Sequence, residues 1–131
     1  MVVLAGGESR RFGSDKLAAP LAGTTVLDHL LGSLPQEWAV IAVGEQRPTP
    51  RPLTWTREYP PGGGPLAGIA AGLALVTTDL TAVVAGDMPY AVPGLRTLVD
   101  ALAAAGPDTA AAVAVDDEGQ LHKFVNVYKD D

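Results

Sequence analysis

Residues 1–16 read Met1-Val2-Val3-Leu4-Ala5-Gly6-Gly7-Glu8-Ser9-Arg10-Arg11-Phe12-Gly13-Ser14-Asp15-Lys16, and this stretch decides the fold. Val2 to Ala5 run without a polar interruption into two adjacent glycines. A short apolar run closed by glycine reads as a buried strand that stops where the backbone turns sharply. A strand with no polar positions is covered on both faces, as in a parallel sheet packed between helices.

The pattern that follows repeats this unit. Thr25-Val26-Leu27-Asp28 has the form of a capping box, after which Val26, Leu27, Leu30, Leu31 and Leu34 recur at helical spacing up to Pro35. Trp38 to Val43 reads as a strand, and Leu53 to Thr56 as a weaker one beyond a turn-rich stretch holding Pro48, Pro50 and Pro52. Pro60-Pro61-Gly62-Gly63-Gly64-Pro65 has the composition of a linker, yet Leu66, Ile69, Ala70 and Leu73 follow at helical spacing. Pro65 is placed there as a first helical residue. Thr81 to Ala85 reads as a strand ending at Gly86-Asp87-Met88-Pro89, with Leu95, Leu98, Val99 and Leu102 marking a helix closed by Gly106-Pro107. Ala110 to Val115 and Phe124 to Tyr128 read as two last strands around the polar turn Asp116 to Gln120.

Strands alternating with helices predict an α/β fold: a three-layer, doubly wound, mostly parallel sheet. No repeat or linker divides the chain, so residues 1–131 are expected to form one domain. Ligands of such sheets bind in the crevice at the carboxyl ends of the strands, where this sequence puts Gly6-Gly7 and Gly86-Asp87.

Composition narrows the function. A chain of 131 residues with 47% hydrophobic content buries one substantial core. Its longest apolar stretch, Leu66 to Val76, is interrupted by glycines and falls short of the roughly 20 residues of a membrane-spanning helix. Met1 leads straight into the strand without a basic leader, so a soluble, cytoplasmic protein is expected. With no cysteine, only carboxylates and imidazoles are left to hold a metal strongly, which points to a hard cation. The net charge of −6 argues against a broad nucleic-acid-binding face. Locally the balance differs, because Arg10, Arg11, Lys16 and Arg57, four of the nine basic residues, lie near the two glycine-rich segments. In an acidic protein this is either a pocket for an anion or ordinary solvated surface.

The chemistry points the same way. Adjacent glycines let backbone approach a ligand and aim N–H groups at an anion, while Arg11 and Lys16 supply charge, so a polyphosphate fits the loop. It is not a Walker A loop, whose Lys directly follows a Gly, nor the dinucleotide fingerprint with its three spaced glycines. A structural turn alone accounts for Gly6-Gly7 but not for the rest of the pattern. His29 and His122 have no partner at metal-ligand spacing and read as structural. Trp38 and Trp55 are expected in the core or at its rim, and Asp116-Asp117-Glu118 in a solvated turn.

The segment Leu4-Ala5-Gly6-Gly7, Ser9, Arg11, Phe12, Gly13, Asp15-Lys16 resembles the signature of the molybdenum cofactor guanylyltransferases. These belong to the wider group of sugar-nucleotide-like nucleotidyltransferases; Phe12 stands where Met is usual. Two further elements follow in the family's order, Gly64-Pro65-Leu66-Ala67-Gly68 and Gly86-Asp87-Met88-Pro89. The resemblance implies a GTP site in which the backbone of Leu4, Ala5, Gly6 and Gly7 faces the nucleotide, Lys16 contacts phosphates and Asp87 holds magnesium. It implies transfer of GMP from GTP to the terminal phosphate of molybdopterin with release of pyrophosphate, Arg11 and Lys16 stabilising charge on the triphosphate. Partners would be GTP, a molybdopterin-type acceptor, and proteins of molybdenum cofactor biosynthesis or molybdoenzymes. On the residues alone, a lone Asp at a strand end also serves as a turn or cap residue.

The chain departs from the pattern in places. Where family members often carry an Asp before the second glycine loop, this one has Tyr59 with Glu58 beside it, and the Asn often found after the second strand is not evident near Val43-Gly44-Glu45. Relatives are expected to continue for roughly a third more. Either the chain stops before the acceptor side is complete, or Val125-Asn126-Val127 corresponds to their C-terminal Asn-Val-Asn element and the difference is internal. The alternatives are a cytidylyltransferase or another transferase of the same fold, and a non-catalytic nucleotide-binding accessory protein.

Overall fold

The computed structural model describes residues 1–6, 16–58, 64–78, 80–106, 108–109, 111–115 and 121–129, and for 16, 64–66, 113–115 and 121–129 it describes the backbone. Six strands form one sheet in the order β5-β4-β1-β6-β8-β7. They are β1 (Val2–Leu4), β4 (Ile41–Val43), β5 (Thr54–Thr56), β6 (Leu80–Ala85), β7 (Ala111–Val115) and β8 (Leu121–Lys129). β5, β4, β1 and β6 run parallel, while β8 pairs antiparallel with both β6 and β7. The expected α/β class holds, with an antiparallel strand inserted at one side.

Both faces of the central strands are buried because side chains alternate across the sheet. Val2 is paired with Val83 and Val3 with Val84, and all four are fully buried. Val3 and Val84 face a cluster with Leu27, Leu30 and Leu31 of helix α1 (Val26–Ser33) and Val92, Leu95 and Leu102 of helix α3 (Val92–Ala104). Val2, Val43 and Val83 face helix α2 (Gly64–Leu73), where Ile69 and Leu73 pack against them. Each buried Leu or Val contributes roughly 1.5–3 kcal/mol relative to an exposed one, so these two clusters carry most of the driving force.

The elements are cut where local chemistry dictates. Thr25 caps α1, its hydroxyl accepting from the Asp28 N–H at 3.2 Å, as the capping pattern predicts. The other end of α1 has no basic residue in its last turn. Arg51 reaches back instead, donating to the carbonyls of Leu31, Leu34, Pro35, Gln36 and Trp38 at 2.7–3.4 Å. A guanidinium there satisfies helix-end acceptors and complements the helix dipole.

Several boundaries differ from expectation. β4 begins at Ile41, not Trp38, because the ladder with β1 opens where the Ile41 N–H donates to the Met1 carbonyl, while Trp38 N–H bonds locally to Pro35. α2 starts at Gly64, one residue before Pro65. A small hairpin that periodicity does not reveal, β2 (Pro20–Leu21) and β3 (Thr24–Thr25), turns through Ala22 and Gly23, both at positive φ. Trp38 and Trp55 are half-buried against the larger cluster, at the rim as anticipated. The Asp116–Gln120 turn and the side chain of His122 lie outside the described residues.

Candidate nucleotide site

The chain leaves β1 through α1 to reach β4 and β5 on one flank, then returns through α2 to β6 on the other. In sheets of this kind such a reversal marks the ligand-binding end, here the carboxyl ends of β1 and β6. Gly6 follows β1 and Gly86-Asp87 follows β6, so adjacent strand pairing brings two of the sequence-predicted segments side by side.

The edge is built by backbone. Ladder bonds run on past the strands: Gly86 N–H donates to Leu4 O, Ala5 N–H to Val43 O and Gly44 N–H to Thr56 O, each at 2.8 Å. Leu4 O and Ala5 N–H are therefore committed to the sheet. Ala5 is buried at 3% exposure, and Gly6 is the first fully exposed residue of the segment.

Three glycines close this edge. A Cβ on Gly44, whose φ is +150°, would lie 2.5 Å from Ala5 O and 2.7 Å from Ala5 C. A Cβ on Gly86 would meet Leu4 O at 3.1 Å and the side chains of Leu17 and Leu27 at 3.2 Å. Gly6 lies against Val43 O and the Gly44 Cα. Sequence reasoning found Gly6 and Gly86 but gave Gly44 no role; a glycine directly after a strand was the available signal.

Asp87 is exposed in the first of two consecutive turns, closed by Met88 N–H to Ala85 O and Ala91 N–H to Met88 O, both at 3.2 Å. Lys16 opens a 3-10 turn, Lys16–Ala18, that is anchored by Leu17, 2% exposed and packed at Gly86. Leu17 thus holds the backbone of Lys16 beside the β6 end. Glu58, half-buried beyond β5, brings Oε2 within 4.0 Å of the position a Gly68 Cβ would take, on α2. Arg57 is exposed. Gly7, Arg10, Arg11 and Tyr59 lie outside the described residues.

Helix α2 approaches through small residues. Gly68 and Gly72 share a face, and a Cβ on Gly72 would lie 2.5 Å from Val2 Cγ1 and 3.1 Å from Val43 Cγ2. This close seating brings α2 against β1 and β4.

The sheet order, the paired loops and the glycine-lined edge leave the family to be decided by comparison. Residues 1–130 match the MobA-like NTP transferase domain. The chain belongs to this family. A probable molybdenum cofactor guanylyltransferase of Mycobacterium bovis is 40% identical, over 99% of this chain and 67% of its own length. One from Mycobacterium marinum is 36% identical with the same coverage. The crystal structure of molybdopterin-guanine dinucleotide biosynthesis protein A from Archaeoglobus fulgidus superposes with a TM-score of 0.72 at 24% identity, over 98% of this chain and 66% of that one. At that identity the likeness concerns the fold. The chain spans about two thirds of the length of these MobA-like relatives.

Among the described residues no helix is long and apolar enough to cross a membrane, and no group of three or more His, Cys, Asp or Glu gathers as a metal site. A lone exposed carboxylate at Asp87 fits an ion held chiefly by substrate phosphates and water, the usual manner of magnesium. It does not fit an all-protein cage.

Proposed function

We propose that this chain transfers GMP from GTP to the terminal phosphate of a molybdopterin-type acceptor, releasing pyrophosphate, in the cytoplasm and with magnesium. The observation that carries the reading is the glycine-lined carboxyl edge, where Gly6 follows β1 and Gly86-Asp87 follow the adjacent strand β6. Membership of the MobA-like family and the names of the 40%-identical relatives support the choice of nucleotide and acceptor.

The residues act mainly by position and charge, which is what phosphoryl-group chemistry asks of a protein. Gly6, without a side chain, lets the nucleotide approach the backbone closely, while Gly44 lets the Ala5 main chain lie against it. Lys16 and Arg11 neutralise the triphosphate as the attacking oxygen closes on the α-phosphorus and the bond to pyrophosphate breaks. Asp87 would hold magnesium, which supplies further neutralisation of the triphosphate. The acceptor phosphate is already ionised, so no general base is required.

The test is calorimetric titration with GTP, CTP and ATP in the presence of magnesium, followed by pyrophosphate release on adding molybdopterin. GTP should bind in preference to the others. Lys16→Ala should lower turnover by ~100-fold or more, and Asp87→Ala should make binding insensitive to magnesium. A folded chain that binds no nucleotide would overturn the proposal.

A further inference from the structure

Tyr90 is 67% exposed, one of two large apolar side chains left open to solvent among the described residues. The other, Leu75, follows α2 near the opposite end of the sheet. Tyr90 instead sits in the loop that carries Asp87, and its ring meets His29 of α1 with centroids 5.1 Å apart and planes inclined by 67°. This is the favourable edge-to-face geometry of aromatic rings. A phenol held from the α1 side while remaining mostly open is prepared for a planar ligand, because little rotamer freedom is left to lose on stacking.

We infer that Tyr90, backed by His29, is a platform on which the heteroaromatic ring system of the acceptor stacks beside Asp87; this rests on the nucleotidyl-transfer reading above. Three residues span at most about 11 Å of chain, so Asp87 and Tyr90 are near enough to engage the two ends of one molecule, a phosphate joined by a short linker to a ring. Two consecutive hydrogen-bonded turns from Ala85 to Ala91 carry both residues. The platform recognises a π-face, and the phenol hydroxyl is dispensable.

The experiment titrates the full chain with a pterin phosphomonoester, following pterin fluorescence, with and without GTP and magnesium. Wild type should quench the fluorescence on binding, and Tyr90→Phe and Tyr90→Trp should retain it. Tyr90→Ala should weaken pterin affinity by ~10- to 100-fold, the usual worth of one stacked ring, while GTP affinity stays within about twofold. His29→Ala should weaken pterin binding less than Tyr90→Ala. Equal losses of pterin and GTP affinity in Tyr90→Ala would make Tyr90 a strut of the loop and overturn the inference, as would an unchanged pterin affinity or a wild type that does not bind pterin. GTP binding without Tyr90-dependent pterin binding sinks the platform alone; the reverse sinks the nucleotide reading alone.

Discussion

Replacing Gly44 by alanine tests whether the nucleotide edge depends on backbone lying against backbone. Two costs add. A side chain at φ +150° occupies a region almost reserved for glycine, a penalty of roughly 1–3 kcal/mol. The new methyl also falls 2.5 Å from Ala5 O and 2.7 Å from Ala5 C, and because these atoms belong to the main chain of the strand end, no rotamer change relieves the overlap. Forcing a methyl into filled space costs roughly 1–3 kcal/mol more. The sum, about 2–6 kcal/mol, is a large share of the roughly 5–15 kcal/mol that holds a domain folded. Urea unfolding followed by circular dichroism should show the midpoint falling with an unchanged slope. GTP affinity should fall as well, measured well below that midpoint, since relief of the overlap displaces Ala5 and Gly6. Gly32→Ala and Gly94→Ala are the controls: both glycines are helical with nothing within 4 Å of an added Cβ, so each should be neutral or stabilising by up to ~1 kcal/mol. A Gly44→Ala protein as stable as wild type, with GTP affinity intact, would refute the reasoning.

Further outcomes follow from other contacts. Gly72→Ala should destabilise by roughly 1–2 kcal/mol, the overlap with Val2 Cγ1 at 2.5 Å outweighing the gain in helix propensity; a double-mutant cycle with Val2→Ala should recover much of the overlap term. Arg51→Ala should cost roughly 1–3 kcal/mol in denaturant midpoint, and Arg51→Lys should not restore it, because an ammonium cannot serve the five carbonyls that the planar fork reaches. Thr25→Ala should cost about 1 kcal/mol by the same measurement, the worth of the cap to Asp28 N–H.

Much of the fold was legible because its signals are local. Leu27, Leu30 and Leu31 recur at the helical period and all face the core, and the capping pattern marked the start of α1 to the residue. Val2-Val3 and Val83-Val84 lack any polar alternation, which is how a strand buried on both faces reads. The ends of β4 and β8 were less legible, since a strand extends only as far as its neighbours offer hydrogen bonds, and β8 runs over nine residues, Leu121–Lys129. The β2-β3 hairpin escaped because two-residue strands carry no period.

For the candidate site, the glycine motifs and Asp87 stand out in the sequence by their place after apolar runs. Gly44, Gly72 and Arg51 did not. Each acts through a partner distant in sequence: Ala5 for Gly44, Val2 for Gly72, and the end of α1 for Arg51. The order of side chains along the chain determined the α/β class, the amphipathic faces and the glycine-bearing loops at the strand ends. Only the tertiary structure decided which strand ends lie side by side and which glycines fill closed space, because strand order and contact distance are properties of chain crossings that no local pattern encodes.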